Sequence, residues 1–77
     1  MNREKIIKIL KEIRPEYDFS EDVNYIDEGY LDSFDVITLV ADLESIFQIK
    51  IAGNEITPEN FSSLDSIVSI VNRKTNQ

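Results

Sequence analysis

The chain has 77 residues, of which 42% are hydrophobic and 30% charged, and its net charge is −7. That describes one small domain spanning 1–77, too apolar for a disordered segment and too acidic to seek nucleic acid. Cysteine, histidine and tryptophan are absent, which excludes disulfides, Cys- or His-based metal sites, and catalysis by a thiol or an imidazole.

Ile6, Ile9, Leu10 and Ile13 fall at the i, i+3, i+4, i+7 spacing of an amphipathic helix over 3–14. Asn2 is its expected N-cap, and Pro15 its stop. The charged start of the chain leads directly into this pattern and does not read as a secretory leader. Residues 15–31 read as a long connection. Val23, Tyr25, Ile26, Tyr30 and Leu31 require parts of it to pack on a core. A loop of this length in a compact domain is usually functional.

Asp32, with a second acid three residues on at Asp35, is a variant capping box opening a helix over 33–47. A connection follows from 48 to 54. Thr57 and Pro58 mark the N-cap and first position of a short helix over about 57–61. Ser62 or Ser63 caps the last helix, with Leu64, Ile67, Val68 and Val71 on its apolar face and an end near Arg73. Residues 73–77 are expected to be a loose tail. The fold class is all-α: three main helices plus one short helix, with a long first loop. No apolar run is long enough to span a membrane.

The helix over 33–47 is apolar on two sides. Val36, Leu39, Val40, Leu43 and Phe47 form an ordinary core stripe. Phe34, Ile37 and Ala41 fall nearly opposite. They are either covered by the 15–31 loop or exposed as a contact surface rimmed by Asp35, Asp42 and Glu44. Charge favours the second reading. Ten acids lie between Pro15 and Ile49, and no Lys or Arg does. Such a field draws basic protein surfaces. Solubility alone is the plainer explanation.

Ser33 stands at the start of this helix. Serine is common there for capping alone. Asp32 can already supply the cap, which leaves the Ser33 hydroxyl free. A helix N-terminus favours phosphate, because unpaired N–H groups and the helix dipole point there.

The stretch from Glu28 through Gly29, Tyr30, Leu31, Asp32, Ser33, Phe34, Asp35 and Val36 to Ile37 resembles the 4′-phosphopantetheine attachment motif of acyl carrier proteins. In that family an acid, a serine and a hydrophobic residue open the second helix of a four-helix bundle. The order and spacing of the remaining elements agree along essentially the whole chain. The resemblance implies that Ser33 carries a 4′-phosphopantetheine arm, added from coenzyme A by a phosphopantetheinyl transferase with Mg²⁺. It implies an acyl or aminoacyl group held as a thioester on that arm. It implies a carrier without enzymatic activity of its own or a resident metal, monomeric and cytoplasmic. Partners would be an acyl- or aminoacyl-loading ligase and downstream transferase or condensing enzymes, met through basic surfaces. Asp32 and Asp35 would meet basic groups, and Phe34, Ile37 and Ala41 would give apolar contact.

Phe34 stands where leucine is commonest. Thr38 and Ala41 stand where fatty-acid carriers usually place an acid and a methionine. With the segment from Pro58 to Phe61, these look more like D-alanyl carriers and stand-alone carriers of peptide or polyketide assembly. A fatty-acid-synthesis carrier is the alternative, and a non-carrier acidic adaptor is the next. Two further readings are weaker. Asp18 to Asp22 mimics the start of an EF-hand loop, but Val23 and Gly29 stand where glycine and glutamate are needed. A serine hydrolase would lack a base for Ser33.

Overall fold

The computed structural model describes residues 2–76. Four α-helices form the bundle: α1 (Asn2–Ile13), α2 (Ser33–Phe47), α3 (Pro58–Phe61) and α4 (Leu64–Thr75), with a 3-10 turn at Gly53–Glu55. α1 packs against both α4 and α2, and α3 packs against α4. The all-α architecture with its long first loop is the expected one. Among the described residues, no helix is long and apolar enough to cross a membrane.

The core follows the helical stripes. Ile6, Ile9 and Leu10 of α1 are buried, as are Val36, Leu39, Val40 and Leu43 of α2. On α4 the buried face is Leu64, Ile67, Ile70 and Val71, while Val68 is only half-buried. The expected face thus turns slightly toward Ile70, on a helix that packs against both α1 and α3.

Several boundaries differ from expectation. α1 begins at Asn2, so Asn2 is inside the helix; its side-chain amide donates to Asn72 Oδ1 of α4 at 2.9 Å. Thr57 holds the N-cap position of α3 but its side chain makes no cap hydrogen bond; the Asn60 N–H donates to the Thr57 carbonyl at 3.1 Å. α4 runs on through Thr75, past the expected end at Arg73. Residues 73–75 are therefore helix, not tail. Lys74 explains the extension: its Nζ lies 2.7 Å from Glu55 Oε1, tying the last turn to the 3-10 turn. That lysine holds the Glu55 carboxyl below the usual carboxylate range. Gln77 lies outside the described residues.

The 15–31 connection is packed, not loose. Phe19, Tyr25 and Leu31 are buried. Phe19 meets Tyr25 edge-to-face at 5.0 Å between centroids and Tyr30 edge-to-face at 5.8 Å, while Tyr17 stacks on Tyr30 at 4.2 Å. These are favoured aromatic geometries. The Tyr25 hydroxyl donates to the Phe19 carbonyl, which satisfies the one polar atom such a buried tyrosine carries. Burial pushes the Tyr25 pKa up to about 12. Two backbone bonds fasten the loop: Tyr25 N to Ser62 O at 2.7 Å and Leu31 N to Tyr25 O at 3.1 Å. Gly29, at φ +77°, makes the turn between them, in a region that disfavours side chains bearing a Cβ. The loop thus delivers Leu31 and Asp32 to a fixed place at the head of α2.

Candidate functional site

Asp32 is the N-cap of α2, and the capping box is complete. Asp32 Oδ1 accepts from Asp35 N at 2.8 Å, and Asp35 Oδ2 accepts from Asp32 N at 3.1 Å. The bond from the Asp35 backbone N–H is the main reason the Asp32 carboxyl sits below its ordinary pKa; the Arg14 guanidinium adds to it. Ser33 follows as the first helical residue. It is exposed, and its hydroxyl makes no hydrogen bond to any described residue. A serine spared from capping duty, at the positive end of a 15-residue helix, is free to bear a phosphodiester.

Beside Ser33 lies an open groove of about 340 Å³. Its walls are apolar: Ile26 and Leu31 from the loop, Val36 and Ile37 from α2, and Ile56 and Pro58 ahead of α3. An arm attached at Ser33 would have this groove at its foot. The residues present therefore fit a flexible group with a phosphate at its base and a less polar body.

Phe34 is 80% exposed and Ile37 61% exposed. Ala41 is exposed as well. The 15–31 loop does not cover them. The second stripe of α2 is a free surface next to Ser33. Ile46, which belongs to neither stripe, is also largely exposed. Its position on α2 places it on the other flank of the core stripe, away from Ile37.

The acids do not all face outward. Asp35 accepts from Arg14 Nε at 2.7 Å as well as from Asp32 N, and its side chain is only 15% exposed. Glu44 Oε2 accepts from Ile51 N at 2.9 Å, which pins the chain after α2. These two carboxylates are occupied within the chain. Asp42 is half-buried and Asp32 exposed. Arg14 is the residue that the charge map overlooked. It lies just outside the acid-only stretch in sequence, yet its guanidinium reaches Asp35, Asp32 and Glu16. Among the described residues, no cluster of carboxylates has the arrangement of a metal site.

Comparison with known proteins agrees with this geometry. Residues 3–73 match the family described as "Phosphopantetheine attachment site". The D-alanyl carrier protein of Lactococcus lactis subsp. cremoris is 31% identical over 77 residues, covering 97% of this chain and 98% of that protein. Aminoacyl carrier protein 1 of Bradyrhizobium diazoefficiens is 36% identical over 73 residues, covering 90% and 80%. The D-alanyl carrier protein of Streptococcus suis is 35% identical over 69 residues, covering 87% and 86%. A free serine on a capped helix beside an apolar groove, within a match that spans nearly the whole chain, leaves one assignment: the chain belongs to the phosphopantetheine attachment family and is a carrier protein, not an enzyme, with 4′-phosphopantetheine as its prosthetic group.

Proposed function

We propose that Ser33 is the attachment point and that the chain carries an amino acid. The observation behind Ser33 is its free hydroxyl at the first position of α2, with Asp32 already acting as cap. In the transfer, Ser33 Oγ bonds to the phosphorus bearing the pantetheine of coenzyme A. The pyrophosphate P–O bond breaks, adenosine 3′,5′-bisphosphate leaves, and the hydroxyl proton passes to a base of the transferase or to water. Once bound, the arm supplies a terminal thiol for thioester formation. The chain contributes no competing thiol, since it has no cysteine.

The aminoacyl reading rests on the relatives, which are named as D-alanyl and aminoacyl carriers. The groove beside Ser33 is open to solvent rather than an enclosed cavity that would sequester a long acyl chain. The protein purified from its own cells under mildly acidic conditions should show the mass of one phosphopantetheine plus one amino acid. Hydroxylamine should remove the amino acid and leave the arm. A long-chain fatty acyl increment in its place would overturn the aminoacyl reading and favour the fatty-acid carrier.

The transferase, a loading ligase and a downstream acceptor enzyme meet the chain, in this reading, in the cytoplasm and through the head of α2. Phe34, Ile37 and Ala41 give the apolar centre. Asp32 and Asp42 supply charge at the edge, while Asp35 and Glu44 hold the frame. Ile37→Glu should leave the melting temperature within a few degrees of wild type, because the side chain lies outside the core. It should weaken docking to the transferase about tenfold, read as KM, as burying an unpaired carboxylate at an interface centre does. An unchanged KM would remove Ile37 from the contact surface.

A further inference from the structure

We propose that Arg14 is a positioning residue for the modification of Ser33, an inference that rests on Ser33 being the attachment point. Arg14 follows the last residue of α1, and its own N–H still donates to Leu10 O at 2.9 Å. Pro15 fixes the chain direction immediately after it. The base of the side chain is therefore anchored.

Three nitrogens of the guanidinium reach three carboxylates. Nε lies 2.7 Å from Asp35 Oδ2, Nη2 3.2 Å from Asp32 Oδ2, and Nη1 3.4 Å from Glu16 Oε2. Asp32 and Asp35 are the two halves of the α2 capping box, and Ser33 lies between them in the chain. Arg14 therefore closes the box from outside. Asp35 Oδ2 holds a backbone donor and Arg14 together, while the two oxygens of Asp32 divide the same duties. The arginine side chain is only 31% exposed, and that of Asp35 still less. Pairs so placed are screened less by water and salt than open surface pairs. The carboxylates in return raise the pKa of Arg14, with Asp35 the main cause.

Two consequences follow for chemistry at Ser33. The first turn of α2 is tied to the end of α1, so the hydroxyl is presented from a fixed frame. The two carboxylates beside it are also partly neutralised. That matters because the incoming coenzyme A is polyanionic and bare carboxylates would repel its pyrophosphate. Lysine cannot take over: a single ammonium does not present three nitrogens in one plane.

The test is transfer kinetics with coenzyme A, Mg²⁺ and a purified phosphopantetheinyl transferase, on wild type, Arg14→Gln, Arg14→Lys and Ser33→Ala, with the melting temperature of each measured alongside. Assays run well below the lowest melting temperature. Arg14→Gln should lower kcat about tenfold and leave KM within about twofold, the pattern of lost positioning rather than lost docking. Arg14→Lys should recover less than half of the wild-type kcat. A fall in melting temperature with kcat and KM unchanged would overturn the proposal, since Arg14 would then only stabilise the fold. So would a lower KM at full kcat, which would mean that Arg14 merely masks acids from a basic partner. If wild type accepts no phosphopantetheine, the Ser33 assignment itself fails. If wild type is modified and Arg14→Gln matches it, Ser33 stands and the role of Arg14 does not.

Discussion

Ser33→Ala should abolish phosphopantetheine attachment completely and leave the fold as it is. The two halves of this expectation come from one geometry. Asp32, not Ser33, caps α2, and the box with Asp35 survives the change because it uses Asp35 N and Asp32 N, not the serine side chain. The Ser33 hydroxyl makes no hydrogen bond to a described residue. Alanine at an exposed first-turn position is a good helix former, and such surface changes usually fall within about 0.5 kcal/mol of neutral. Of the seven serines, Ser33 is the one at the first position of α2 and the one lining the groove there, and Ser20 is held by Asp18 in a turn of the loop. Circular dichroism and thermal melting report the fold, while intact mass reports the arm. A variant that unfolds would show that the hydroxyl has a structural part that the capping geometry does not reveal.

Phe19→Ala should be the most damaging change outside the helices. Phe19 is fully buried and touches Tyr17, Tyr25 and Tyr30 at once. Truncating a buried phenylalanine costs about 3–5 kcal/mol, part lost transfer energy and part cavity. A domain of this size has a total stability of roughly 4–12 kcal/mol, so the loss is a large share of it. The damage should spread. Phe19 supplies the carbonyl that receives the Tyr25 hydroxyl, and Tyr25 N is what ties the loop to Ser62. Loss of the ring at residue 19 would loosen the path that brings Leu31 and Asp32 to the head of α2. Urea denaturation of Phe19→Ala and Phe19→Leu measures this, and leucine should recover part of the loss. A loss below about 1 kcal/mol for alanine, less than any buried phenylalanine truncation should cost, would mean that the loop contributes little to the core.

Much of this architecture was legible in the sequence. The span of α2, 33–47, could be read to the residue because a complete capping box stood at one end and an unbroken apolar period ran to Phe47. Its exposed second stripe was legible too, although whether the loop covered Phe34 and Ile37 was not: coverage depends on where seventeen loop residues, 15–31, fold in space. Phe19 was missed for the same reason. It sits in a turn-rich acidic run, between Asp18 and Ser20, and has no periodic neighbour to mark it as core. The Glu55–Lys74 pair, which joins the 3-10 turn at Gly53–Glu55 to the last turn of α4, has no local signal in the sequence.

The site divides along the same line. Ser33 and its cap are local, set within four residues, and the sequence marks them. Arg14 is not local. It is separated from Asp35 by the whole first loop, and counting charges along the chain placed it outside the acids it joins. The same contact engages Asp35 within the chain, beside its bond to Asp32 N. Glu44 is engaged likewise, by the backbone N–H of Ile51.

The most direct test of the central claim is intact mass, followed by fragmentation, after incubation with coenzyme A, Mg²⁺ and a broad-specificity phosphopantetheinyl transferase. Wild type should gain a single phosphopantetheine, localised to Ser33, together with one titratable thiol in a chain that has none of its own. Ser33→Ala should gain neither. Attachment at another serine, or no attachment to a folded wild type with two unrelated transferases, would contradict the account.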